Sequence, residues 1–324
     1  MPKAIRIHEN GPPSVMRWEE IEVGNPKKGE VRLRHTACGV NFIDVYCRAG
    51  LYRTPLPQIL GNEGAGIVTA VGRGVTGLKV GDRVAYASDP LGSYSEERLY
   101  PADRVIRMPK EIADETAAAM MLKGMTARYL VREIYPVKKG DTILLHAAAG
   151  GLGLILCQWA KALGATVIGT VGTRKKADIA AAHGCDHPIV YTKQNFVDRV
   201  KRITRGKGVP VVYDSIGKET FPASLDCLQK RGMFVTFGNA SGPIPPFPPS
   251  LLQQKGSLMM TRPSLVHYID TRERLVANAR DLIAVVKSGK VKIEIGQRYA
   301  LRDAARAHRD LEARRTTGST VLIP

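Results

Sequence analysis

With 324 residues, 44% hydrophobic and 24% charged, the chain is long enough for two domains and has the make-up of a globular protein, not a disordered or fibrous one. No stretch approaches the roughly 18 apolar residues of a membrane span, and Met1–Asn10 lacks the apolar core of a signal peptide, so membrane insertion and secretion are not expected. The net charge of +18 is unevenly spread: residues 124–263 hold 19 Lys and Arg against 8 Asp and Glu. Part of that excess can serve anionic groups of a small ligand. The rest is a solvated basic face or, as a second reading, a nucleic-acid surface, although no helix-turn-helix, zinc-finger or aromatic-interleaved motif accompanies it. Cys38, Cys47, Cys157, Cys185 and Cys227 are odd in number and show no paired spacing, which suits reduced thiols in a cytoplasmic protein.

In chain order, residues 1 to about 110 read as mainly β. Strands are expected at Lys3–Ile7, Glu30–Ala37, Gly66–Val71 and Asp82–Ala87, between Gly, Pro and Asn turns. Phe42–Ala49 reads as a short helix stopped by Gly50. Glu115–Val131, rich in Ala, Met and Leu, reads as a longer one. Strands and helices then alternate. Strands are expected near 142–146, 166–171, 187–191, 209–214, 232–238 and 257–262, and helices near 151–164, 173–183, 194–205, 217–229 and 250–256. Six strands joined by right-handed crossovers make a doubly wound parallel sheet. Gly164 and Gly184 stand where helix ends are expected. Pro243–Pro249 cannot continue a helix or donate into a sheet, so it is a rigid loop, either a lid or a surface connection. Helices at Thr271–Ser288 and Leu301–Arg315 and a strand at Thr320–Ile323 close the chain. The expected organisation is a mainly-β domain over 1–123, an α/β domain over 124–263, and a return to the first domain over 264–324.

The most informative segment is Asp141–Gly153. An apolar strand runs into the small-residue turn Ala147-x-x-Gly150-x-x-Gly153, and a helix follows. Small residues let a backbone approach a pyrophosphate, and the helix N-terminus turns unpaired N–H groups toward it, here those of Gly151 and Leu152. About 20 residues on, an NAD site carries an acid for the ribose 2′-hydroxyl. This chain has Gly172-Thr173-Arg174-Lys175-Lys176 instead. Cations attract a 2′-phosphate that a carboxylate would repel. The cofactor is therefore expected to be NADPH, with Lys176 as the best candidate for the 2′-phosphate and Arg174 and Lys175 more exposed.

These residues belong to a wider pattern that spans the chain: Gly39–Asp44, Leu60–Val68, Val80–Val84, Leu122–Ala127, His146–Gly153, Tyr213–Gly217, Phe237–Asn239 and Thr261–Ser264. In these stretches the sequence resembles the zinc-independent medium-chain dehydrogenases/reductases, in particular the NADPH:quinone oxidoreductase, ζ-crystallin-like branch. The resemblance implies a Rossmann domain inserted into a mainly-β, GroES-like catalytic domain, and a homodimer in which strand Ser257–Arg262 would be covered. Zinc dehydrogenases of the superfamily carry a Cys where this chain has Asn41 and a His where it has Asn62, and amides are poor zinc ligands. The family's structural zinc needs four clustered cysteines, and Cys38 stands alone. No metal is expected.

By the same resemblance, Tyr129, Tyr191 and Arg314 join the cofactor site, the last two at the 2′-phosphate. Ser215, Phe237, Gly238 and Asn239 lie where the ribose and nicotinamide are expected, and Asn41, Phe42, Asp44 and Ser264 form the nicotinamide pocket. Asn41, Tyr46 and Tyr52 are the candidate catalytic residues. The two tyrosines would stack on a flat quinone or donate a phenol to its carbonyl. Lys123 either supports the pocket or forms a salt bridge. The implied reaction is hydride transfer to a quinone, with protons from water or a tyrosine, and positioning and water exclusion as the enzyme's main work. An NADPH-dependent reductase of enones or 2-enoyl compounds would use the same cofactor residues and is the alternative.

Overall fold

The computed structural model describes residues 1–324. It divides into two compact units, one formed by residues 1–125, 269–287 and 293–324 and the other by residues 126–268 and 288–292.

The first unit begins with β1 (Lys3–Ile7), β2 (Arg17–Glu20), β3 (Glu30–Val40), α1 (Phe42–Arg48), β4 (Gln58–Ile59), β5 (Glu63–Val71), β6 (Arg83–Ala87), β7 (Glu97–Pro101), β8 (Ile106–Arg107) and α2 (Asp114–Tyr129). The unit boundary falls inside α2, which gives way to a π-helical turn at Leu130–Ile134. β1 pairs antiparallel with β2 and β4 in a small sheet. β3 is the spine of a larger one and pairs antiparallel with β5 and β7. Along β3, Val31 and Leu33 are buried while Arg32 and Arg34 face outward, the period of two of a strand covered on one side. Its end is buried throughout. At Gly39 a Cβ would overlap the Glu63 carboxylate and the Ala118 carbonyl, so glycine alone lets β3 run this close to β5 and α2.

The second unit holds β9 (Thr142–Leu145), α3 (Gly151–Ala162), β10 (Thr166–Val171), α4 (Arg174–Ala182), β11 (His187–Val190), α5 (Phe196–Ile203), β12 (Val209–Asp214), β13 (Leu228–Thr236), α6 (Ser250–Gln254) and β14 (Met259–Thr261). Its six strands are parallel, in the order β11-β10-β9-β12-β13-β14. The order reverses between β9 and β12, the switch point at which such sheets open a crevice. Gly164 and Gly184 have φ of 87° and 89° just past α3 and α4, the left-handed step that ends a helix.

The chain then returns to the first unit with α7 (Arg272–Lys287), β15 (Ile295–Ala300), α8 (Ala304–Glu312) and β16 (Ser319–Ile323). β16 lies antiparallel to β3 and parallel to β15, so the last strand completes the sheet begun by the third.

Two expected helices differ. Over 217–229 there is only a 3-10 turn at Ala223–Cys227. The Asp214 carboxylate accepts the N–H groups of Ile216 and Gly217 (2.6 and 3.1 Å) and the Thr220 hydroxyl (2.6 Å), which gives the backbone an alternative to helical bonding. Pro222 then withholds an N–H. The helix expected over 301–315 is a 3-10 turn followed by α8, and Arg314 lies beyond it with φ 58°. The short strands β2, β4, β7 and β8 and the strand β15 were not expected. β4 and β8 have two residues each, too few for a period to show.

Candidate active site

In the second unit the expected cofactor residues follow the carboxyl ends of successive parallel strands and therefore share one edge of the sheet. Gly151 and Leu152 follow β9, Gly172, Thr173 and Lys176 follow β10, and Tyr191 follows β11. Ser215 follows β12, Phe237–Asn239 follow β13, and Ser264 follows β14. The fingerprint turn is held tightly. Ala147 takes φ 57°, and the Ala148 N–H bonds to the Thr170 carbonyl of β10 at 3.1 Å. Leu154 is the first residue of α3 to bond back, to the Gly150 carbonyl at 2.9 Å. The N–H groups of Gly151, Leu152 and Gly153 are thus the helix's first-turn donors, with no carbonyl one turn earlier to take them. A Cβ on Gly153 would sit 2.7 Å from the Ala148 carbonyl carbon, so only glycine lets α3 start against this turn. On Gly172 a Cβ would stand 3.2 Å from the Tyr191 hydroxyl, and on Gly238 one would lie 2.9 Å from the Ser215 Cα. These close approaches leave an edge of bare backbone.

Beneath the turn, His146 is buried. The Ser224 hydroxyl donates to the Thr220 carbonyl at 2.9 Å, so it accepts from His146 Nε2–H at 2.9 Å, and Nδ1 accepts the Thr170 hydroxyl at 2.8 Å. The ring is neutral, and burial holds its pKa below the usual range. Thr173 caps α4 by accepting the Lys176 N–H at 3.2 Å, so its oxygen holds the helix start that carries Lys176. Arg174 is exposed and pairs with Asp178 one turn along at 3.2 Å. Tyr129 is buried and stacks on Tyr268, with ring centres 4.2 Å apart and planes 9° apart.

In the first unit a polar cluster surrounds the start of α1. Asn41 ends the β3 spine and caps α1: its N–H donates to Asp44 Oδ2 at 2.8 Å. Its side-chain amide donates to Glu63 Oε2 at 2.8 Å, and the Asn62 amide donates to Asp44 Oδ1 at 2.8 Å. Glu63, fully buried, also accepts the Leu122 N–H at 2.8 Å and the Lys123 ammonium at 3.3 Å. Asp44 takes a further bond from the Tyr94 hydroxyl at 2.9 Å. Burial raises the Asp44 pKa from 3.8 to about 6, against the opposing pull of Asn62, Asn41, Tyr94 and Lys123.

A chain of bonds continues from there. Arg48, held by Glu312 through two bonds at 2.8 and 2.9 Å, donates to His308 Nδ1 at 3.1 Å. His308 must therefore carry its proton on Nε2 and donate it to the Tyr94 oxygen at 3.1 Å, which leaves the Tyr94 O–H for Asp44. Burial, then the neighbouring Arg48, lowers the His308 pKa to about 3, consistent with this neutral form.

The aromatic candidates line one side of α1. Phe42 and Tyr46 lie one turn apart with centres 6.1 Å apart, and Tyr52 meets Tyr46 edge-on at 5.3 Å. Two sequence assignments change in character here. Asp44 is fully buried with both oxygens engaged by its own unit, so it shapes the pocket by holding Asn41 and Asn62 and offers no oxygen to a cofactor. Tyr46 is 8% exposed and Tyr52 37%, so Tyr52 is the accessible member of the pair. Arg314 is exposed in the first unit, just past α8 and not on it. Sequence reasoning missed Glu63 as the hub of the cluster, and it missed the Tyr94–His308–Arg48 chain. No local signal exists for the latter, since Arg48 and His308 are 260 residues apart.

Comparison with known proteins agrees with this fold. Residues 27–110 match the alcohol dehydrogenase GroES-like domain family, and residues 151–281 match the zinc-binding dehydrogenase family. The chain is 52% identical to a quinone oxidoreductase of Pseudomonas aeruginosa, with all of both chains covered. The chain belongs to the quinone oxidoreductase family of the medium-chain dehydrogenases/reductases. The crystal structure of Escherichia coli quinone oxidoreductase complexed with NADPH superposes with a TM-score of 0.98 at 49% identity, covering 99% of this chain and 100% of that one. A 2-haloacrylate reductase of Burkholderia is 48% identical over 100% of this chain and 99% of its own. Members of this family thus share the doubly wound sheet and the GroES-like unit while differing in the acceptor named for them.

Proposed function

We propose that the protein is an NADPH-dependent quinone reductase that works without a metal. The observation that carries the proposal is the pairing of two features on one sheet edge: a bare-backbone turn at α3, and Lys176 where an acid would select NAD. The first-turn N–H groups of Gly151 and Leu152 would hold the pyrophosphate, and Lys176, with Tyr191, would hold the 2′-phosphate. Bound NADPH supplies a hydride. Ser215, Phe237–Asn239 and Ser264 would orient the ribose and nicotinamide from the strand ends of the second unit, and Asn41 and Phe42 are the first unit's candidates for the nicotinamide. Tyr46 and Tyr52 would present aromatic faces to a planar acceptor, and Tyr52, the more exposed of the two, is the candidate for giving a proton.

Metal independence rests on donor chemistry. The amides of Asn41 and Asn62 are spent on Glu63 and Asp44, and amides bind zinc weakly. Nowhere does the chain group three His, Cys, Asp or Glu side chains able to hold an ion. A quinone is electron-poor enough to accept hydride without a Lewis acid. The protein is a homodimer in this reading: β14 ends its sheet and pairs only with β13, and Met259 on it is 49% exposed. The five cysteines are buried and unpaired, as suits the cytoplasm, and no helix is long and apolar enough to cross a membrane. The basic excess is taken as a solvated face.

The test is acceptor preference at saturating NADPH. Turnover with 1,4-benzoquinone at least tenfold faster than with 2-chloroacrylate supports the proposal. The reverse order assigns the enzyme to activated alkenes, the reading with which the 2-haloacrylate relative is compatible.

A further inference from the structure

The Lys123–Glu63 pair is more than a structural ion pair in its geometry. An ammonium has three donors and normally sits about 2.7–2.9 Å from a carboxylate oxygen. Lys123 makes one contact to Glu63, at 3.3 Å, although only 10% of its side chain is exposed. Glu63 itself is held by better bonds, from Leu122 N–H and from the Asn41 amide, both at 2.8 Å. A buried charge with two donors unspent is costly unless something else takes them up. The surroundings narrow what that is. The ammonium and the Asn41 amide share one oxygen, Glu63 Oε2, so Lys123 stands beside the residue that heads the aromatic side of α1. Within the cluster Glu63 and Asp44 are fully covered, whereas Lys123 is 8% exposed and its most accessible member. The other charged or titratable groups around it, Asp44, Tyr94, His308 and Arg48, are bonded to one another and supply no free donor.

We infer that Lys123 is a catalytic residue: its ammonium donates to the acceptor oxygen that becomes negative on reduction, doing with a fixed side-chain cation what zinc dehydrogenases do with a metal. The inference rests on the quinone-reductase reading. Hydride transfer brings two electrons and one proton to the quinone and leaves a hydroquinone monoanion. The Lys123 N–H···O bond strengthens as that charge develops. An ammonium proton then passes to the oxygen to complete the hydroquinone, and water reprotonates the amine. Glu63 is the positioning residue that supplies the counter-charge for Lys123 and aligns Asn41.

Three variants separate this role from a structural one. Lys123→Met leaves Glu63 unpaired and is expected to lose stability. Lys123→Met with Glu63→Gln makes the pair neutral and is expected to regain it. A purely structural lysine predicts that activity returns with stability in the double variant. The inference predicts a kcat still down about 100-fold, the usual cost of losing an oxyanion donor, with the NADPH dissociation constant changed less than threefold. Lys123→Arg, which keeps the charge, should retain more kcat than either.

A second readout needs no turnover. The protein, with and without Lys123, is titrated with 4-nitrophenol, whose absorbance reports its ionisation. The wild type should shift the bound probe toward the phenolate, and Lys123→Met should not. A double variant within threefold of wild-type kcat, or a probe whose ionisation is the same in both proteins, overturns the inference. If the wild type does not reduce quinones at all, the functional reading fails, and the nitrophenol titration still decides Lys123.

Discussion

The two units build their candidate residues from different material. On the parallel sheet the binding edge is main chain: first-turn N–H groups of α3, a left-handed Ala147, and glycines at 153, 172 and 238 where a Cβ would crowd its neighbours. Around α1 the site is side chain, with two buried carboxylates fed by two amides, a phenol, a lysine and two backbone N–H groups. A backbone site tolerates changes in side chains that merely stand nearby. A side-chain cluster fails when any member is deleted, because its partners are left buried and unsatisfied. The comparison can be broken at either end.

The largest effect is expected at Glu63. Glu63→Ala strands the Lys123 ammonium, the Asn41 amide and the Leu122 N–H together, and should cost about 3–5 kcal/mol in urea unfolding, the range for breaking a buried ion pair from one side. A cost below about 1 kcal/mol would mean that the cluster is not the rigid frame described above.

On the sheet edge, Lys176→Ala should weaken NADPH roughly 10–100-fold by fluorescence titration and leave NADH unchanged, the loss of one charge-assisted contact. Equal losses for both cofactors would place Lys176 away from the 2′-phosphate.

Acid stability is a smaller test, of the buried titratable groups of the first unit. His35 and His308, lowered by burial from 6.5 to about 3, take up protons in the unfolded chain before the folded one. Their contribution to stability is therefore lost as pH falls from about 6.5 toward 3. Asp44, raised from 3.8 to about 6, has the opposite sign: the folded state takes up its proton first, which adds stability as pH falls from 6 to 4. Stability should decline below pH 6.5, and Asp44→Asn should steepen the decline. A shallower slope in the variant would contradict the assignment.

The smallest effect is expected for Arg174→Ala. This residue is exposed and paired with Asp178, so NADPH affinity and stability should each change by less than about 0.5 kcal/mol.

The same contrast explains what could be read in the chain. The fingerprint turn, the missing acid after β10 and the alternation of strands and helices are local, and each was legible because its physics acts within about 30 residues. The placement of Ser215, Phe237–Asn239 and Ser264 on one edge then followed from the parallel order. The helix expected over 217–229 failed because Asp214 captures backbone N–H groups, a competition that apolar spacing does not reveal. Asp44 was expected in the pocket by resemblance, which carries no information on what its carboxylate bonds, and it is a cap whose second oxygen serves Asn62. The Arg48–His308–Tyr94 chain was invisible because it joins residues brought together only by the return of the C-terminal segment to the first unit.

The central claim, a metal-free quinone reductase that selects NADPH, is tested most directly by one rate comparison. Protein stripped with a chelator is given 1,4-benzoquinone and either NADPH or NADH at equal concentration. Full activity after stripping, with NADPH preferred at least tenfold, is the expected result. Activity that disappears with the metal and returns with zinc, or an equal rate with NADH, would contradict the account.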